Sequence, residues 1–225
     1  MNLPNKITVA RIASIPLIVM LLLAPTLLER NSPFGPYFAF ADESTRPLVA
    51  GLLRSGGLLL TIAAALSDWY DGMLARKHNM QTRLGALLDP LADKLLVSAA
   101  FVVFVDLGLY PSWLVVIILF REFLVSGLRT IAAASGRVIS ADKWGKHKTG
   151  WQLATIITTI VFVAARDFLR AADLWDSPLL RNIWAEQIHD VTLRGLLFVT
   201  VTLTLLSGYR YMRDNWSIIK EEAAT

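Results

Sequence analysis

Cysteine is absent from the 225 residues, which excludes a disulfide framework, thiolate metal sites, a Cys-x-x-Cys redox pair and a cysteine nucleophile. Only three histidines are present, too few for a metal cage built from imidazoles. Charge is scarce as well: 18% of residues are charged and 55% hydrophobic, with a mean hydropathy of +0.51. A soluble domain does not have that balance, and the solvent it fits is lipid. The formal net charge of +4 raises nucleic acid as a partner. The basic residues are scattered between apolar runs and form no basic face, so no nucleic acid is expected. No internal repeat or separate soluble domain appears, and residues 1–225 read as one membrane domain.

What is present is a series of apolar stretches near the roughly 20 residues that cross a bilayer. Six are predicted: Ile7 to Leu28, Gly56 to Arg76, Leu84 to Leu107, Ser112 to Ala134, Trp151 to Ala165 with some extension, and Val191 to Met212. The first follows Lys6 as a signal peptide would, but it runs too long and lacks a small-residue cleavage site, so it is read as a retained span. The long connections are Glu29 to Ser55 and Arg166 to Asp190. Six crossings put both termini on one side. Most of the 22 lysines and arginines share that side, whereas Arg30, Arg46, Arg54, Arg166, Arg170, Arg181 and Arg194 spread over the longer loops opposite. The positive-inside rule then predicts an all-α, polytopic membrane protein with six transmembrane helices, N-in and C-in.

Against this background the carboxylates stand out. Ser67-Asp68-Trp69-Tyr70-Asp71-Gly72-Met73-Leu74-Ala75-Arg76 is followed, after a basic turn, by Gly85-Ala86-Leu87-Leu88-Asp89-Pro90-Leu91-Ala92-Asp93-Lys94. At about 2.5 to 3.5 kcal/mol for each charge in mid-membrane, four unpaired aspartates would cost on the order of 10 kcal/mol. At 100° per residue Asp68, Asp71, Gly72, Ala75 and Arg76 share one arc of the second helix, and Gly85, Asp89 and Asp93 step along one face of the third. These faces are expected to be antiparallel neighbours, with the acids near headgroup depth, about 9 Å below the turn at 1.5 Å per residue. Convergent oxygen ligands without histidine or cysteine suit hard cations such as Mg²⁺, in numbers sufficient for two ions. Gly72 and Ala75 either let a bulky ligand approach the backbone or serve helix packing.

The pattern Asp-x2-Asp-Gly-x2-Ala-Arg-x8-Gly-x3-Asp-x3-Asp is complete at Asp68, Asp71, Gly72, Ala75, Arg76, Gly85, Asp89 and Asp93. It resembles the CDP-alcohol phosphatidyltransferase family, and Pro4-Asn5 with Thr8 and Arg11 is similar to that family's N-terminal segment. The resemblance implies a homodimeric enzyme of the bacterial inner membrane, with its active site toward the cytoplasm, that moves a phosphatidyl group from CDP-diacylglycerol to an alcohol and releases CMP. By the same resemblance Asp68, Asp71, Asp89 and Asp93 hold Mg²⁺ or Mn²⁺, and Asp93 also takes the hydroxyl proton. Asn5, Thr8, Gly72, Ala75, Arg76, Thr82 and Gly85 are assigned to the nucleotide lipid.

Arg121 to Arg129 and Gly145 to Thr149 resemble the members of the family that use glycerol 3-phosphate. A phosphorylated acceptor needs cations, which Arg121, Arg129, Lys146 and Lys148 would supply. Topology alone also puts basic residues in that loop. Arg121 lies inside a span, so it needs a partner or a task; pairing with Glu122 or a metal-site aspartate is the other reading. An acceptor such as inositol phosphate, or a divalent-cation transporter in place of an enzyme, are the alternatives. A transporter would place acids near mid-membrane on several helices, whereas these lie toward one side on two.

Overall fold

A computed structural model describes residues 3–27, 45–78, 83–134, 143–175, 177–178 and 187–216. Among them six long helices follow one another: α1 (Leu3–Leu27), α2 (Arg46–His78), α3 (Arg83–Asp106), α4 (Ser112–Ala134), α5 (Lys143–Ala171) and α6 (Gln187–Asp214). No strand occurs among the described residues. The helices run alternately up and down. The first half of α1 meets the second half of α2 and the first half of α3 through Arg11, Ser67 and Asp93, while the far halves of α2 and α5 meet through Arg54 and Asp167.

The outer surface is apolar, unlike that of a water-soluble bundle, and several polar side chains are buried within an apolar core. Leu17, Met20, Leu52, Leu59, Val116, Phe120, Phe198 and Leu205 face outward, whereas Thr61, Gln152, Thr155, Thr159, Thr200 and Thr204 are buried. Apolar side chains at the surface have no cost in lipid, and buried hydroxyls hold helices together by hydrogen bonding across them. Thr159 Oγ1 gives its proton to the carbonyl of Thr155, so it accepts from the Tyr110 hydroxyl at 2.6 Å; Thr200 Oγ1 donates to Leu196 O and accepts from Thr155 at 2.8 Å. Burial pushes the Tyr110 hydroxyl up to about 12, so it stays a donor at neutral pH. The apolar core joins Ile15, Ile18 and Leu22 of α1 to Leu96, Phe101 and Phe104 of α3, Ile118 of α4, Ile156 and Ile160 of α5 and Leu197 of α6. Gly108, at φ +69°, turns the chain out of α3, and the N–H groups of Leu109 and Tyr110 close on Phe104 O at 2.9 and 3.3 Å. Such a left-handed turn is easiest for glycine.

Three features compare with the sequence expectations. First, among the described residues four helices are long and apolar enough to cross a membrane, over Asn5–Leu27, Arg46–Ser67, Lys148–Ala171 and His189–Asp214. α3 carries Arg83, Asp89, Asp93 and Lys94 in its first half, and α4 carries Arg121, Glu122 and Arg129. Second, α2 begins ten residues before the expected Gly56, at Arg46, and α5 runs through Arg166 and Asp167, which were read as loop. Arg54 and Asp167 interrupt the apolar pattern, but they neutralise each other as an ion pair at 4% and 3% exposure. Third, direct contact between α2 and α3 is slight among the described residues, and α1 packs against both.

Removing one member of the Arg54–Asp167 pair leaves a buried charge. Asp167→Ala is expected to destabilise the protein by about 3 to 5 kcal/mol. The double variant Arg54→Met, Asp167→Leu should recover most of that loss. Thermal unfolding in detergent measures both; a single variant as stable as the parent would show that the pair is immaterial.

Candidate functional site

α2 spans 33 residues, or about 50 Å at 1.5 Å per residue, which exceeds the roughly 30 Å hydrocarbon core. In the sequence its uncharged run, Ser55 to Ser67, gives way to Asp68. Asp68, Asp71, Gly72, Ala75 and Arg76 therefore begin where the uncharged run stops, and the helix continues through them to His78. Gly85 and Asp89 lie in the first turns of α3. The side chains of Asp68, Asp71, Gly72, Ala75, Arg76, Gly85, Asp89 and Lys146 lie outside the described set, as does all of Thr82. Among the described residues no three metal-ligating side chains gather.

The described part of this end is built around Arg11. Asn5, Thr8 and Arg11 are 5%, 1% and 3% exposed and follow one face of α1, which continues apolar through Ile15, Ile18 and Leu22. Arg11 Nε donates to Ser67 Oγ at 3.2 Å on α2, and Nη1 reaches Asp93 Oδ1 at 3.4 Å on α3. One buried guanidinium thus ties the residue before Asp68 to the last acid of the motif. Almost half of the Asp93 side chain stays exposed, at 48%. Sequence reasoning quoted Arg11 but gave it no place in the site. An arginine near a chain start reads as topology until another helix is known to face it.

A second group of charges comes from α3, α4 and α5. Glu122 accepts from Lys148 and, at 3.3 Å, from Gln152 Nε2, and lies 3.6 Å from Arg121 Nη1. Arg121 Nη2 donates to Ser207 Oγ at 2.7 Å. The guanidinium of Arg129 lies over the Tyr211 ring, 5.5 Å from its centroid, a favourable cation–π distance. Lys94, Arg121, Arg129 and Lys148 are close enough for their positive charges to act on one another, and Asp93 acts on Lys94. The structure thus gathers three of the four expected acceptor-site cations, adds Lys94, and realises the Glu122 pairing that the sequence left open for Arg121. Glu122 neutralises only part of the group.

Residues 1–180 match the sequence model described as CDP-alcohol phosphatidyltransferase. The chain belongs to this family. Among its relatives, a Bacillus subtilis (strain 168) protein is 39% identical over 219 residues, covering 97% of each chain. A Salmonella choleraesuis relative is 33% identical, covering 94% of this chain and 93% of its own. A third, from Rickettsia bellii, is 30% identical over 94% of each. All three are named CDP-diacylglycerol–glycerol-3-phosphate 3-phosphatidyltransferase. For a CDP-alcohol phosphatidyltransferase, the described geometry places a partly exposed carboxylate, Asp93, against the buried guanidinium of Arg11, which also holds Ser67 of α2.

Proposed function

We propose that this chain transfers the phosphatidyl group of CDP-diacylglycerol to glycerol 3-phosphate, giving phosphatidylglycerophosphate and CMP. The observation that carries the reading is the grouping of Arg121 and Lys148 around Glu122, with Arg129 over Tyr211 one helical turn beyond the Ser207 that Arg121 contacts, and Lys94 within electrostatic reach. A phosphate dianion recruits such cations, whereas an uncharged alcohol leaves them without a ligand. In the reaction the acceptor hydroxyl gives its proton to the Asp93 carboxylate, its oxygen bonds to the phosphorus that bears diacylglycerol, and the bond from that phosphorus to CMP breaks. CMP leaves with the electron pair. Arg11 holds one oxygen of Asp93 in place during this transfer, and the cations orient the acceptor.

Asp68, Asp71, Asp89 and Asp93 would hold the divalent cations. The all-oxygen donor set, beginning where the uncharged run of α2 ends, suits Mg²⁺ or Mn²⁺, which when bound neutralises pyrophosphate charge. Asn5, Thr8, Gly72, Ala75, Arg76, Thr82 and Gly85 are assigned to the nucleotide lipid, and Lys146 to the acceptor. Six crossings with N-in and C-in orientation fit the up-and-down order of the helices. Placement in the bacterial inner membrane with a cytoplasm-facing site, and a homodimer, rest on the family resemblance.

Purified protein given CDP-diacylglycerol with glycerol 3-phosphate, inositol phosphate, serine or glycerol is expected to make a lipid product only with glycerol 3-phosphate, identified by mass spectrometry. Arg121→Ala should raise KM for glycerol 3-phosphate by about 10- to 100-fold, as loss of a charged hydrogen bond does. It should leave KM for the nucleotide lipid nearly unchanged. Product from inositol phosphate instead would keep the chemistry and replace the acceptor.

A further inference from the structure

The family match ends at residue 180, so α6 lies wholly beyond it. Yet α6 closes one side of the cation group. Thr200, Thr204, Ser207 and Tyr211 recur at helical spacing on one face, and all are buried, at 1%, 0%, 6% and 6% exposure. Ser207 accepts from Arg121 Nη2. At Gly208 a Cβ would come within 3.0 Å of Arg121 Cγ, so the bare backbone there makes room for the arginine.

Besides Thr204 Oγ1, two buried polar groups in this corner have no hydrogen-bond partner among the described residues, Arg121 Nε and the Tyr211 hydroxyl. Arg121 lies against Ser207 and Gly208, one turn before Tyr211 on the same helix, and Arg129 covers the face of the Tyr211 ring. Buried polar atoms are nearly always paired, so two unpaired neighbours point to a missing third group. Both can donate, and one acceptor oxygen satisfies both. The surrounding cations select an oxygen that carries negative charge.

We infer that Tyr211 is a specificity-determining residue, its hydroxyl donating to the phosphate of the acceptor alcohol, with α6 as the wall of that site. This rests on the reading that the Lys94, Arg121, Arg129 and Lys148 group takes the acceptor phosphate. A site built to hydrogen-bond a group rejects the analogue that lacks it, because its own buried donors are then left unpaired. Tyr211 therefore favours a phosphorylated alcohol over the same alcohol without phosphate.

The test is Tyr211→Phe, which keeps a ring beneath Arg129 and removes only the hydroxyl. KM for glycerol 3-phosphate is expected to rise roughly 10- to 100-fold, the range for a lost hydrogen bond to a charged group. KM for CDP-diacylglycerol and the melting temperature in detergent should stay at the parent values. Inorganic phosphate, which should compete with glycerol 3-phosphate in the parent, should compete more weakly in the variant. Arg121→Ala measured alongside separates the two levels of the argument. If Arg121→Ala raises KM for glycerol 3-phosphate and Tyr211→Phe does not, the role of Tyr211 is overturned and the acceptor site stands. If neither variant changes it, the acceptor-site reading falls and takes this inference with it. Equal rises for both substrates, or a lowered melting temperature, would make Tyr211 a packing residue and overturn the proposal.

Discussion

Treatment with EDTA is expected to abolish phosphatidyl transfer, and Mg²⁺ or Mn²⁺ to restore it. The pyrophosphate of the nucleotide lipid is highly anionic, and an acceptor with its own phosphate adds further negative charge. Attack of one on the other is opposed electrostatically until that charge is neutralised. Asp68 and Asp71 follow the uncharged run of α2, and Asp89 lies in the opening turns of α3. Unpaired carboxylates would be costly there. Asp68→Asn, Asp71→Asn and Asp89→Asn change charge with little change of shape, and each should lower turnover by about a thousandfold. That corresponds to about 4 kcal/mol of transition-state charge stabilisation. Circular dichroism and size-exclusion behaviour should match the parent. Full turnover after exhaustive chelation would remove the metal-assisted reading.

Asp93→Asn should separate binding from chemistry. The substitution keeps the side-chain volume and an oxygen facing Arg11 Nη1, which lies 3.4 Å from Asp93 Oδ1, but it removes the base. CDP-diacylglycerol should still bind, while kcat falls at least about a hundredfold, a typical contribution of general-base catalysis. Equilibrium binding of the nucleotide lipid and single-turnover rates measure the two quantities independently. A variant with parental kcat would transfer the proton-accepting role elsewhere. If the rate were kept and lipid binding lost, Asp93 would be a binding residue.

The contrast between these two predictions and that for Tyr211 reflects what the sequence alone made legible. Local periodicity and chemical scarcity determined much. Apolar runs identified an all-helical membrane protein, and the spacing of Asp68, Asp71, Asp89 and Asp93 pointed to oxygen-only cation chemistry, because i, i+3 and i, i+4 relations are set within a single helix. The boundaries of α4 were legible, since Pro111 and the Ala132–Ala134 end flank an apolar stretch. Where charge and apolarity mix, the local signal misled. Arg54 reads as a residue of the external loop until Asp167, 113 positions away, is found to neutralise it inside the bundle. The Ser67–Arg11–Asp93 bridge and the pairing of Glu122 with Lys148 likewise join residues far apart in sequence.

Tertiary structure alone decided that Lys94 joins the cations and that Ser207 and Tyr211 lie against Arg121 and Arg129. Threonine, serine and tyrosine on a long apolar helix carry no pattern that separates interhelical hydrogen bonding from a ligand site. Their chemistry depends on which helix lies opposite. Thr200 meets Thr155 of α5, whereas Ser207 and Tyr211 meet α4, whose buried arginine converts an ordinary packing face into one side of a charged site.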